Sequence, residues 1–104
     1  MQVSLKHGVS IRGIRPETVF LIERIKEIYA AASEDELVIT SVTDGIHGPN
    51  SLHYVGFAVD TRLPHGSVEN IILELAKERL GREFDVVQEA THIHWEYQPE
   101  GRAV

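Results

Sequence analysis

The stretch Ser51-Leu52-His53-Tyr54-Val55-Gly56-Phe57-Ala58-Val59-Asp60 constrains the fold more than any other part of the chain, because it carries an aspartate inside an otherwise apolar run. Read as a strand, it alternates its faces, so Ala58, Asp60 and Arg62 share one side while Phe57, Val59 and Thr61 take the other. An unpaired carboxylate among such burial-prone neighbours is costly, and something cationic is expected to meet it. His53 lies seven residues before Asp60, across Gly56.

A second histidine-bearing segment alternates in the same way. In His92-Ile93-His94-Trp95-Glu96-Tyr97, Ile93, Trp95 and Tyr97 face one side and His92, His94 and Glu96 the other. Two imidazoles and one carboxylate on neighbouring strands can make a three-ligand zinc site with one coordination position left for water.

The pattern Ser-x-His-x-x-Gly-x-Ala-x-Asp, followed downstream by His-x-His, resembles the zinc D-Ala-D-Ala carboxypeptidases and L-alanyl-D-glutamate peptidases that cut bacterial murein peptides. It is also similar to the related fold of the hedgehog signalling domain, and within the peptidase group it looks most like short bacterial and phage members. The resemblance runs from about Thr40 to Tyr97. It implies one zinc per chain on His53, Asp60 and His94, a murein peptide substrate, and hydrolysis by a metal-activated water. Ser51 and His47 then fall among the groups that contact substrate or support the ligands, although His47 equally suits a loop histidine in solvent.

Two positions depart from the family pattern. Relatives commonly hold an Asp or Glu three residues before the last ligand, where this chain has Thr91, and an arginine upstream of the first ligand, where it has Asp44 in Ser41-Val42-Thr43-Asp44. Amide hydrolysis needs a group that takes a proton from water and returns one to the leaving amine. Glu89 is the expected replacement, ahead of Glu96, and His92 is expected to act beside the metal or in catalysis. The alternative is a zinc-stabilised binding or virion structural module of the same fold, without catalysis.

Composition narrows the classes. At 104 residues, with 42% hydrophobic and 25% charged, the chain reads as one soluble globular domain. It has no cysteine, which excludes disulfides and thiolate ligands. A net charge of -6 and the absence of a Lys/Arg run argue against a nucleic-acid partner. No apolar stretch approaches the length of a membrane span, and the first residues lack the pattern of a signal peptide, so cytoplasmic synthesis is expected.

In chain order, residues 2 to 14 suggest an extended arm with turns at Gly8 and Gly13 and a short edge strand. Pro16 opens a helix to about Ala32, with Val19, Ile22, Ile25 and Tyr29 at helical spacing. Leu37 to Val42 reads as a buried strand and Thr43 to Asn50 as a loop. Phe57 to Leu63 is a strand, and Ser67 caps a second helix that Gly81 ends. Phe84 to Glu89 and His92 to Tyr97 form a hairpin. The tail from Gln98 is expected to be loose, and His7 and His65 are expected in exposed turns. The whole is α+β: an antiparallel sheet of about four strands, with two helices on one face and the metal site on the other.

Overall fold

A computed structural model describes residues 1–45, 51–65 and 68–98, with the backbone only at Val55. Its elements are β1 (Gln2–Leu5), α1 (Pro16–Ala31), β2 (Glu36–Ser41), a 3-10 turn (Leu52–Val55), β3 (Ala58–Arg62), α2 (Glu69–Arg79), β4 (Phe84–Gln88) and β5 (His92–Tyr97). The expected helices and hairpin are present, and the chain is α+β. Ser67 and the tail beyond Gln98 lie outside the described residues.

The sheet differs from the four antiparallel strands expected. It is five-stranded and mixed, in the order β1-β2-β3-β5-β4, with β1 parallel to β2 and the other neighbours antiparallel. Parallel neighbours need a long crossover, and α1 supplies it between β1 and β2. β1 is a short edge strand with no inside-outside alternation in its burial, so hydrophobic pattern gives it no partner.

Each helix presses one apolar stripe onto the same face of the sheet, while Val19, Phe20 and Ile71 stay about half exposed. Leu21, Ile25, Ile28 and Tyr29 of α1 and Ile72 and Ala76 of α2 share a core with Leu37, Ile39, Val59, Ile93 and Trp95. The alternation of β3 and β5 therefore holds: Val59, Ile93 and Trp95 are fully buried under the helices, and Asp60 and His94, paired across the ladder, look out of the opposite face. Register matters here, because a slip of one residue would turn Asp60 into the apolar core.

A buried polar chain ties α1 to β3 and β5. The Trp95 Nε1–H donates to Thr61 Oγ1 at 2.9 Å, the Thr61 hydroxyl meets the Tyr29 hydroxyl at 3.0 Å, and the Tyr29 hydroxyl donates to the Arg62 carbonyl at 2.8 Å. Every polar atom in this chain has a partner, so its burial carries no unpaired-group penalty. Burial pushes the Tyr29 phenol up, offset in part by the Thr61 hydrogen bond and reinforced by Glu34, to about 12, which keeps it a donor.

The second correction concerns His53. It sits not on a strand but in the 3-10 turn that precedes β3. Ser51 Oγ accepts the His53 backbone N–H at 3.2 Å and opens the turn, and Gly56 ends it with φ of 80°. Only glycine fits there for two reasons: the left-handed backbone, and a Cβ that would run into the Gly13 carbonyl oxygen. The Gly56 carbonyl in turn accepts the Arg15 N–H at 3.1 Å and the Thr18 hydroxyl at 2.6 Å. Gly56→Ala is therefore expected to cost roughly 1–3 kcal/mol from the backbone conformation alone, with more from the collision. Urea unfolding of the metal-free variant measures it, and stability equal to wild type would mean that the arm from Gly13 to Thr18 does not pack on the turn as described.

Candidate metal centre

Three elements meet at the open face of the sheet: the 3-10 turn brings His53, β3 brings Asp60 and β5 brings His94. His53 is 2% exposed and Asp60 7%. The Asp60 Oδ1 lies 2.9 Å from His94 Nδ1 and 3.2 Å from His53 Nε2, and the two nitrogens are 3.3 Å apart. Donor atoms around a tetrahedral ion with bonds of about 2.0–2.1 Å stand roughly 3.4 Å apart, so this triangle is close to the size that an ion requires. The group His53, Asp60 and His94 could hold a metal ion.

The other nitrogen of each histidine supports that reading. His53 Nδ1 lies 2.6 Å from the Val42 carbonyl oxygen, which can only accept, so Nδ1 carries a hydrogen and Nε2 is the nitrogen left facing Asp60 and the centre. His94 Nε2 lies 2.7 Å from Glu96 Oε1. Metal-binding imidazoles characteristically spend their second nitrogen on a carbonyl or carboxylate in this way.

Behind His53 stands a further support. Asp44 Oδ1 accepts the backbone N–H groups of Val42 and Ser10, each at 3.0 Å, and so fixes the residue whose carbonyl holds the imidazole. Partial burial pushes the Asp44 carboxyl up, but the N–H groups of Val42 and Ser10 outweigh it and hold the carboxyl low. Asp44 is thus a loop anchor. Ser51 has a comparable duty as the cap of the turn that carries His53.

The remaining expected residues divide clearly. His92 is at the edge of the centre: its Nε2 is 3.6 Å from Asp60 Oδ2, its Nδ1 is 3.1 Å from the Thr91 hydroxyl, and its side chain is 30% exposed. Glu89 is exposed just beyond β4, bound to β5 through its backbone N–H on the His92 carbonyl at 2.8 Å. No side-chain hydrogen bond joins Glu89 to the centre among the described residues. Glu96, ranked behind Glu89 on the sequence, is the carboxylate bonded to His94. Its signal was its parity with His94, two residues away on the same face. The Val42 carbonyl left no such signal, being a backbone atom. His47 lies outside the described residues, and His7 and His65 are exposed, as expected.

Comparison of the chain with protein-family models, with curated proteins and with solved structures finds no match in any of the three. Among the described residues no helix is long and apolar enough to cross a membrane.

Electrostatics gives the metal-free centre a defined pH behaviour. Burial pushes the Asp60 carboxyl up, but hydrogen bonds from His53 and His94 and the nearby imidazoles outweigh it and hold the carboxyl well below the usual range. Burial pushes the His94 imidazole down, but its hydrogen bonds to Asp60 and Glu96 outweigh that and raise it to about 9. Asp60 therefore stabilises the fold fully above its ordinary value of ~3.9, losing that contribution as pH falls toward its lowered value. His94 stabilises fully below its ordinary ~6.5. That contribution is lost as pH rises to about 9.

The metal-free chain is accordingly expected to lose stability between pH ~6.5 and ~9, and His94→Gln to lack that slope. Over the same interval metal affinity should rise by about tenfold per pH unit, because the ion displaces one proton from His94. Urea unfolding after chelation and metal titration across pH measure both, and a flat affinity profile would exclude His94 as a ligand.

Proposed function

We propose that the chain is a zinc-dependent peptidase of the D-Ala-D-Ala carboxypeptidase and L-alanyl-D-glutamate peptidase type, on a hedgehog-like fold, acting on murein peptide bonds that involve D-amino acids. One observation carries the proposal: among the described residues the centre offers three converging donors, whereas purely structural zinc usually has four protein ligands. His53, Asp60 and His94 would hold the zinc. When bound, zinc supplies a Lewis acid that acidifies water and polarises an amide carbonyl.

The chain's own residues have separate tasks in this reading. Val42 and Glu96 fix the two imidazoles. His92, partly open to solvent beside Asp60, holds or passes a proton at Nε2 next to the reacting amide. Glu89, on the connection between β4 and β5, is the carboxylate assigned to take the proton of the attacking water.

A second reading has its own support. Thr91 occupies the position where the family keeps an acid, its hydroxyl is spent on His92, and Glu89 makes no side-chain bond to the centre. A zinc-stabilised binding or virion structural module of the same fold would need no such acid. Hydrolysis separates the two readings. Zinc-loaded wild type is expected to release amino groups from purified murein peptides. Glu89→Gln should keep the zinc and lose roughly 100- to 10,000-fold in rate, the usual value of general-base assistance. Full activity in Glu89→Gln removes Glu89 from the mechanism, and inactivity of the zinc-loaded wild type on all murein peptides favours the binding module.

A further inference from the structure

We infer that Glu96, with Gln98 behind it, is a positioning residue that selects which nitrogen of His94 faces the metal. The inference rests on the metal-holding reading of His53, Asp60 and His94. A neutral imidazole has one N–H, and the hydrogen-bond partner of one nitrogen decides the role of the other. Glu96 Oε1, at 2.7 Å, can only accept while ionised, so it draws the hydrogen to Nε2. Nδ1 is then left as the donor atom, and Nδ1 is the nitrogen that lies 2.9 Å from Asp60 Oδ1 and 3.3 Å from His53 Nε2.

The carboxylate is itself fixed. Gln98 Nε2 donates to Glu96 Oε2 at 2.8 Å, so each oxygen has its own partner. β5 is paired on both sides, with Glu96 opposite Ala58 of β3 and Asp85 of β4, which denies the backbone the freedom of an edge strand. The side chain is 17% exposed. His53 gets the same service from the neutral Val42 carbonyl, whereas Glu96 adds a full negative charge, which strengthens the imidazole as a donor.

Zinc affinity by competition with a chromophoric chelator, the visible spectrum of the cobalt-substituted protein, and the ring-nitrogen NMR shifts of His94 test the inference together. Glu96→Ala is expected to weaken zinc binding by roughly 10- to 100-fold and to change the cobalt spectrum. Glu96→Gln should fall between, since the amide oxygen still accepts but carries no charge. Asp85→Asn removes a neighbouring charge without touching His94 and should leave affinity unchanged. In zinc-loaded wild type the hydrogen of His94 should be found on Nε2, a measurement that needs no variant to fold. Wild-type affinity and an unchanged cobalt spectrum in Glu96→Ala, an equal loss in Asp85→Asn, or a hydrogen on Nδ1 would each overturn the positioning role while leaving the metal centre intact. Wild type that takes up neither zinc nor cobalt would instead remove the metal centre, and this inference with it.

Discussion

The structure depends on how it keeps a carboxylate out of water. Asp60 is almost wholly buried on the central strand β3, and such a charge is tolerated only where opposite charge and hydrogen bonds replace its lost hydration. His53 and His94 provide that replacement from either side. Each of these histidines is held in turn from outside, one by a backbone carbonyl and one by a second carboxylate. The centre is thus a nest of partners in which the innermost group has the least freedom. Removing any outer partner leaves the next one inward without its reason to stay.

This arrangement uses the two faces of one sheet for different ends. On the helix side, Thr61 joins Trp95 and Tyr29 in a neutral, fully paired chain that helps to hold β3 against β5. One residue earlier, on the opposite side, Asp60 meets His94 across the same ladder. The packing that fixes the register and the chemistry that uses it are separated only by the thickness of the sheet.

Much of this was legible because strand parity is a strong rule. The limits of β5 and the division of Val59, Ile93 and Trp95 from Asp60 and His94 follow from alternation alone. The 3-10 turn was not legible, because Leu52, Tyr54 and Val55 suit a strand and only the cap at Ser51 and the left-handed Gly56 override them. The parallel pairing of β1 was hidden for another reason: four residues without alternating burial say nothing about their neighbour. The support of His53 by Asp44 through Val42 runs by way of main-chain atoms, to which side-chain patterns are blind. Metal ligation by His53, Asp60 and His94 was read from family likeness, and the geometry brings those residues together on its own terms.

The strand order carries a consequence for how the protein is made. β5 comes last among the strands, yet it lies inside the sheet, between β3 and β4. A nascent chain still lacking it has two unfilled strand edges, an uncovered Asp60 and no third donor. Placing β5 both closes the sheet and brings His94 beside Asp60 and His53. A chain interrupted before His92 would lack both the closed sheet and His94, one of the three residues that could hold a metal ion.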